Sequence, residues 1–226
     1  MKNIRDICVI VQARLSSQRS PNKMIKPFCD TTLTDICIQK LLKSKVISKH
    51  SFFMSVYEKE LREICRKNNV NVFLRSEASA KSEGTPMTEI FEWWNKLPFK
   101  YVVMVNACCP LLKIETIDKF IEAYANSDSR GMFGVIKKKN YFWNSDRECI
   151  TPLTEDVMNT KTAGSLYEAA HCLYAGRMED IGKGIWMGKF KPDDPELFVV
   201  EEKEIFDIDY PWQFKVGEIL YEAENR

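Results

Sequence analysis

A cluster of cations follows the first apolar run of the sequence. Arg14, Arg19, Lys23 and Lys26 fall within thirteen residues, and the serines between them add hydroxyl donors. Guanidinium and ammonium groups neutralise phosphate oxygens, and the backbone N–H groups of such a loop can cradle them. The cluster predicts a polyphosphate site, although a solvated surface loop can have the same composition. The loop lacks both the glycine fingerprint of dinucleotide binders and the Walker A sequence, which disfavours those two classes.

A pair of carboxylates near the end of the chain is a candidate metal site. Asp207 and Asp209 are two residues apart in an apolar stretch that reads as extended chain, so both would point to one face of a strand. Magnesium prefers oxygen ligands and keeps several waters, so one or two carboxylates beside phosphate oxygens are enough. The alternative is that Asp209 caps the helix that begins near Pro211.

The hydrophobic pattern alternates between strands and helices along most of the chain. Such alternation indicates a mostly parallel sheet with right-handed crossovers. The expected strands are Ile7–Gln12, Phe52–Tyr57, Val70–Leu74, Tyr101–Val105, Gly131–Lys137, Ala169–Tyr174, Phe198–Val200 and Ile205–Ile208. The expected helices are Thr32–Leu42, Glu58–Asn68, Pro86–Asn95, Ile114–Ala125 and Pro211–Ala223, with Thr31 or Thr32 as the N-cap of the first.

One stretch lacks a clean period. Residues 138–165 mix aromatic, polar and charged side chains, which is typical of a lid, a partner-subunit arm or a plain surface loop. With its 226 residues and 45% hydrophobic content, the rest of the chain supports one core, and we expect residues 1–226 to form a single domain. The aromatic run Tyr141, Phe142 and Trp143 could line a pocket or form a dimer arm.

Composition argues against nucleic acid and membranes as partners. The 33 Lys and Arg residues are balanced by 32 Asp and Glu residues, so no overall positive field would hold a phosphate backbone. No apolar run approaches the roughly 20 residues needed to cross a bilayer, and the N-terminus lacks a cleavage signal. The eight cysteines include no CxxC pair and read as buried free thiols. A cytoplasmic location is therefore expected.

Three motifs, in the same order along the chain, resemble those of the acylneuraminate cytidylyltransferase family, which includes CMP-sialic acid and CMP-Kdo synthetases. The first is Ala13–Arg14 through Arg19, Pro21 and Lys23, directly after the first buried strand. The second is Asn106–Leu112 and the third is Phe206–Pro211. The likeness spans nearly the whole chain. It implies a three-layer α/β/α, nucleotide-diphospho-sugar transferase-like fold with a mostly parallel sheet.

The resemblance also implies roles for particular residues. Arg14, Arg19 and Lys23 would hold the phosphates of CTP, and the loop from Arg75 to Thr85 would complete the nucleotide pocket. Asp207 and Asp209 match the paired aspartates that hold Mg²⁺. The implied nucleotide-binding set is Ala13, Arg14, Leu15, Ser16, Arg19, Lys23, Arg75 and Thr85, of which Arg14 and Lys23, together with Asp209, are the catalytic candidates.

The implied sugar-binding set is Asn106, Cys109 and His171. Asn106 stands where the family usually has a Gln that contacts the sugar acid, and Cys109 replaces a Ser. His171 falls where the family has an Asn-Gly pair near the sugar pocket, although a lone His in an apolar run is more often a hydrogen-bonded core residue. Gln18 and Met24 are further departures from the family pattern, in the first motif.

The function implied by the resemblance is transfer of CMP from CTP to an acidic sugar, a nonulosonic or ulosonic acid, with release of pyrophosphate. Such an enzyme would depend on Mg²⁺, supply glycan biosynthesis and form a homodimer. Within enzymes, the alternative is a nucleotidyltransferase of the same fold that uses another NTP or a sugar-phosphate or phosphonate acceptor. Two other classes are a catalytically idle nucleotide-binding relative and a dinucleotide-binding dehydrogenase.

Overall fold

The computed structural model describes residues 1–81, 84–153 and 159–224. Seven strands lie in this part of the chain: β1 Ile7–Gln12, β2 Phe52–Val56, β3 Asn71–Leu74, β4 Tyr101–Val105, β5 Met132–Lys138, β6 Leu166–Arg177 and β7 Glu196–Val199. The helices are α1 Leu33–Leu41, α2 Lys59–Lys67, α3 Glu77–Ala80, α4 Met87–Ile90, α5 Ile114–Asn126, α6 Met178–Ile181 and α7 Pro211–Glu224. Short 3₁₀ helices span Ile4–Asp6, Lys49–Ser51, Glu92–Asn95 and Glu202–Glu204.

The strands form one sheet in the order β3-β2-β1-β4-β6-β5-β7. All neighbouring pairs are parallel except the two made by β6, which runs antiparallel to β4 and β5. The expectation of a mostly parallel sheet in an α/β fold is confirmed. Hydrophobic periodicity does not carry strand direction, and this is why the reversed strand could not be recognised from the sequence.

Both faces of the sheet are covered by apolar side chains. Ile7, Val9 and Val11 of β1 belong to one buried cluster, whereas Cys8 and Ile10 belong to the other. Alternate residues of a strand point to opposite faces, so a strand buried on both sides reads as a continuous apolar run. The sheet is therefore the middle layer, and the carboxyl ends of β1, β2 and β4 meet at one edge.

Three predictions of secondary structure need correction. Ile205–Ile208 is not a strand; Ile205 N–H donates to the Glu202 carbonyl over 3.0 Å, and Ile208 N–H donates to the Cys108 carbonyl over 2.9 Å. The predicted helix Pro86–Asn95 divides at Phe91 into α4 and a 3₁₀ turn. Strand β6 is longer than predicted. Its second half pairs with β4, and its first half continues past the end of β4 and pairs with β5.

Residues 139–153 and 159–165 connect β5 to β6 without regular elements, apart from an isolated bridge between Trp143 and Cys149. Residues 154–158 of the predicted excursion lie outside the described residues. Trp143, Ile150 and Leu153 expose about half or more of their side chains here. All eight cysteines are free thiols and six of them are buried, close to expectation. No helix in the described ranges combines the length and apolarity needed to cross a bilayer.

Candidate functional site

A cleft of about 600 Å³ lies at the carboxyl edge of the sheet. Ligands of open α/β sheets bind at this edge, where the strands end and the loops begin. The loop after β1, the loop after β4, the middle of β6 and the segment before α7 all contribute to it. The lining residues are Gln12, Arg19, Lys23, Met104, Val105, Asn106, Cys108, His171, Tyr174, Asp207 and Asp209.

At this cleft Asp209, which precedes the last helix, contacts two cations of the loop after β1. Arg19 Nη2 lies 2.8 Å from its Oδ2, and Lys23 Nζ lies 2.9 Å from its Oδ1. Lys23 also donates to the carbonyl of Ile208 over 2.7 Å. Burial lowers the pKa of Lys23, but its contacts with Cys108 and Asp209 outweigh burial and raise the pKa above its ordinary value. Lys23 is therefore a charged ammonium in a largely buried position.

The second carboxylate has a different environment. Oδ1 of Asp207 is buried and makes no hydrogen bond to the described part of the chain. Burial, and then repulsion from Asp209, raise the pKa of Asp207, while Lys23 and the Asn106 amide act in the opposite direction. A buried oxygen without a donor is costly unless a ligand or ion completes it. Both aspartates line the same cleft, although the segment that carries them is not the strand that was predicted.

The structure does not support the alternative prediction that the side chain of Asp209 caps α7. The side chain of Gln213, in the first turn of α7, accepts hydrogen bonds from the backbone N–H groups of Asp209 and Tyr210 at 2.7 and 2.6 Å. The Asp209 carboxylate instead contacts Arg19 and Lys23. This arrangement fixes the segment before α7 through its backbone and leaves the carboxylate in the cleft.

The other residues of the loop after β1 contact a second region, which is formed by residues 75–81. Arg14 donates to the carbonyl of Lys81 over 2.7 Å, and Ser16 donates to that of Ala80 over 3.2 Å. Arg75 is buried, donates to the carbonyl of Ser79, and has its pKa lowered to about 10, first by burial and then by the charge of Arg14. None of these residues lines the cleft of Asp209.

Thr85 completes this second region by donating to the carbonyl of Ala78 over 3.2 Å. Ala13 is buried, and its N–H donates to the carbonyl of Ser55. Leu15 N–H donates to Glu58, 2.7 Å away, so a carboxylate that sequence reasoning read only as a helix start anchors the loop. Residues 82 and 83 of the predicted pocket loop lie outside the described residues. The predicted nucleotide residues thus divide between a group that faces the cleft and a group that faces this second loop.

The wall of the cleft opposite the cations comes from β4 and β6. Asn106 Nδ2 donates to the carbonyl of His171 over 2.9 Å, and Asn106 Oδ1 accepts from Cys108 N–H at 2.9 Å. His171 Nδ1 lies 3.1 Å from the hydroxyl of Tyr174. The alternative that His171 is a core residue is wrong, because its side chain is exposed and lines the cleft.

A bulge in β6 explains this exposure. Phe133 pairs with Tyr174 and Val135 with Ala169, so residues 170–173 lie opposite the single Gly134. His171 has a φ of 52°, in the left-handed region that β-bulges use to redirect a side chain. Hydrophobic periodicity carries no signal for a bulge.

Cys109 requires a correction as a sugar-binding candidate. Its side chain is buried and is not part of the cleft lining, where its neighbour Cys108 appears instead. Adjacent residues at a strand end point in different directions, so only one of the pair can face the cleft. Gln12 and Tyr174 also line the cleft but were not predicted as site residues. The only signal for them in the sequence is their position, at the end of β1 and on β6.

Comparison with known proteins matches residues 8–178 to a family described as cytidylyltransferase. An uncharacterized protein of Methanocaldococcus jannaschii is 25% identical over 150 residues, which are 66% of this chain and 54% of that protein. The chain thus spans about half the length of the curated relative that it matches.

Solved structures share the fold at low identity. CMP:2-keto-3-deoxy-manno-octonic acid synthetase, solved with CTP, has a TM-score of 0.71 at 10% identity, covering 96% of this chain and 99% of that one. 4-Diphosphocytidyl-2C-methyl-D-erythritol synthase from Anaerococcus prevotii has a TM-score of 0.64 at 13% identity, covering 99% and 98%. A cytidylyltransferase from Leptospira borgpetersenii has a TM-score of 0.51 at 17% identity, covering 79% and 63%.

Proposed function

Because the chain belongs to the cytidylyltransferase family, we propose that it transfers CMP from CTP to an acidic sugar with release of pyrophosphate. The observation that carries this proposal is the meeting of Arg19 and Lys23 with Asp209 in one cleft. A triphosphate in that cleft would meet the two cations and the carboxylate pair side by side, opposite the wall made by β4 and β6.

The reaction forms one P–O bond and breaks another. The acceptor hydroxyl oxygen bonds to the α-phosphorus of CTP, the bond to the bridging oxygen breaks, and pyrophosphate leaves with that electron pair. The hydroxyl proton passes to solvent. Arg19 and Lys23 stabilise the charge that grows on the leaving pyrophosphate, and positioning of the two substrates supplies the remaining acceleration.

The chain's own residues fit a magnesium ion. Asp207 brings a buried carboxylate oxygen without a donor, and Asp209 brings a second carboxylate beside it. Within the described ranges no group of three or more His, Cys, Asp and Glu side chains is arranged for a metal, so phosphate oxygens and water would complete the shell. When bound, the ion would supply Lewis-acid polarisation of the phosphate. Asp207 and Asp209 would hold it.

The direct test is pyrophosphate release from each of the four NTPs with Mg²⁺ and a panel of nonulosonic and ulosonic acids. We expect release with CTP and one of these acids, and a loss of at least about 100-fold in Asp209→Ala, as for removal of a group that stabilises transition-state charge. Activity with only GTP or UTP would remove cytosine from the proposal. Activity with only a sugar 1-phosphate or a phosphonate would replace the acceptor. No release with any pair would indicate an idle relative.

We also propose a homodimer in which the connection between β5 and β6 is the arm. The exposed apolar side chains Trp143, Ile150 and Leu153 support this proposal, because monomers seldom leave such groups uncovered together on one segment.

A further inference from the structure

The segment that carries Asp207 and Asp209 is held at the cleft although it does not belong to the sheet. Ile208 N–H donates to the carbonyl of Cys108 over 2.9 Å, which connects the segment to the loop after β4. A second connection is made by Glu204, in the 3₁₀ turn that directly precedes the segment. Asp207 lies between these two connections, so its place in the cleft depends on both.

Glu204 makes its connection through a carboxylate that is buried, with only 4% of the residue exposed. Oε2 accepts from the N–H of Lys113, and Oε1 accepts from the hydroxyl of Thr116, both over 3.0 Å. Lys113 is the N-cap residue of α5, and its own side chain makes no capping hydrogen bond. Glu204 thus accepts from the N-cap N–H as a residue of the helix itself does in a capping box, and a negative charge is favourable at a helix N-terminus.

From these contacts we infer that Glu204 is a positioning residue for the metal site, because it fastens the start of the segment that carries Asp207 to α5. The inference rests on the proposed function, in which Asp207 and Asp209 hold Mg²⁺. Both oxygens of Glu204 accept from the start of α5 and the residue does not line the cleft, so it acts through Asp207 and is not itself a ligand. Loss of a group that orients a metal ligand costs roughly 10–100-fold in metal affinity or activity.

Two substitutions separate the position of Glu204 from its charge. In Glu204→Gln the amide oxygen can accept from Lys113 N–H and the NH₂ group can donate to the oxygen of Thr116, so the connection remains while the charge is lost. In Glu204→Met the acceptors are lost and the length of the side chain is kept. We expect Glu204→Met to raise the Mg²⁺ concentration for half-maximal pyrophosphate release roughly tenfold, and Glu204→Gln to stay within about threefold of the wild type.

Titration with metal distinguishes positioning from a loss of folded protein. A variant that only unfolds has fewer active molecules at every Mg²⁺ concentration, so its kcat falls and its half-saturation does not move. A variant in which Asp207 is misplaced recovers its kcat when Mg²⁺ is in excess. Electron paramagnetic resonance of Mn²⁺, added to each variant with CTP and compared with CTP alone, measures occupancy of the site without turnover.

Asp118 offers a matched control on the same helix. Its carboxylate also accepts from one hydroxyl, that of Ser44, and from one backbone N–H, that of Lys45, and so connects α5 to the loop after α1. Asp118 does not line the cleft, so Asp118→Leu should cost stability without moving the half-saturation for metal. Thr116→Val removes one donor of Glu204 and keeps the shape of the side chain. It should shift the half-saturation in the same direction as Glu204→Met, by a smaller factor.

The expected result is weaker metal binding in Glu204→Met and Thr116→Val, with Glu204→Gln and Asp118→Leu close to the wild type. If Glu204→Met does not fold, Thr116→Val answers the same question. An equal loss in Glu204→Gln and Glu204→Met would show that charge and not position is responsible, and would overturn the assignment. An unchanged half-saturation in the folded variants of this pair of residues, or an equal shift in Asp118→Leu, would overturn it as well.

The wild type separates this inference from the proposed function. If it binds Mn²⁺ with CTP but releases no pyrophosphate with any substrate pair, the proposed function fails, and the Mn²⁺ titration of the variants still decides the role of Glu204. If it binds no Mn²⁺ beyond what CTP alone binds, both fail.

Discussion

At the scale of single residues, the two aspartates of the cleft have opposite electrostatic surroundings. Asp209 contacts two cations, one of which, Lys23, has only a tenth of its side chain exposed. Asp207 leaves a buried oxygen unpaired, and burial raises its pKa. One carboxylate therefore stabilises the free protein and the other destabilises it, which is the pattern expected where a site is kept for a ligand.

Removing each charge in turn should therefore change stability in opposite directions. We expect Asp207→Asn to raise the free energy of unfolding at neutral pH by about 1 kcal/mol, because burial and repulsion from Asp209 outweigh the compensation of this charge by Lys23 and Asn106. Asp209→Asn should lower it by about 2 kcal/mol, because Lys23 loses its counter-charge in a buried position. Urea denaturation of the two variants and the wild type measures both changes. A shift in the same direction for both would contradict this account of the cleft.

The pairing of Asp209 with Arg19 and Lys23 also predicts that magnesium and nucleotide stabilise the protein together. Mg²⁺ alone should shift the melting temperature little, because Asp209 is already neutralised. CTP and Mg²⁺ together, at about 100 times Kd, should shift it by about 5–10 °C. In Arg19→Ala the response to Mg²⁺ alone should grow and the response to CTP should shrink. A full shift with Mg²⁺ alone in the wild type would show that the ion pairs do not compete with the metal.

At the scale of elements, α7 positions the carboxylates by close packing against the segment before it. Gly217 is the buried residue of α7, and a Cβ built there would lie 2.9 Å from Cδ1 of Ile208. Rings of Phe206 and Phe28 would lie 3.3 Å away. Ile208 stands between the two aspartates, so the helix approaches the site without room for a side chain.

A larger residue at this position should disturb both stability and function. We expect Gly217→Val to lower the free energy of unfolding by about 1–3 kcal/mol through overpacking. Pyrophosphate release should fall further than the loss of folded protein explains, because Ile208 has to move. Ala223→Val, at an exposed position of the same helix, measures the cost of a β-branched residue without the packing. Equal stability of the two variants would remove the packing argument.

Sequence patterns predicted the elements whose environment is uniform. β1 and β4 are covered on both faces and were predicted with the observed ends, from apolar runs that are unbroken except for the final Gln12 of β1. The segment Ile205–Ile208 has a similar composition but no neighbouring strand to pair with, and composition carries no information about partners. The bulge that exposes His171 depends on a register shift against β5, which no local period records.

At the scale of the whole molecule, the fold brings together residues that are far apart in the chain. Lys23 and Asp209 are separated by 186 positions and meet because β1 and the approach to α7 end at the same edge of the sheet. The order of the motifs made this meeting predictable. The division of the first loop between two regions was not predictable, because it depends on where residues 76–81 fold back.

The proposed dimer makes a prediction at the same scale. Trp143 in the arm and Trp212 on α7 expose 60% and 62% of their side chains, which makes them a matched pair. Sedimentation velocity should give a dimer for the wild type and for Trp212→Ser, and a larger monomer fraction for Trp143→Ser. A wild type that sediments as a monomer at micromolar concentration would contradict the dimer. Equal dissociation in both variants would place the contact outside the arm.

The reversed direction of β6 has a consequence for how this fold can diversify. Because β6 extends past the end of β4, its residues 169–172 contact β5 and Asn106 and belong to neither the loop after β1 nor the approach to α7. We expect that grafting this short stretch from another family member would change the wall of the cleft opposite Arg19 and Lys23 while the contacts of these cations with Asp209 stay in place. The fold thus offers protein engineers a short segment at which one wall of the cleft can be exchanged by itself.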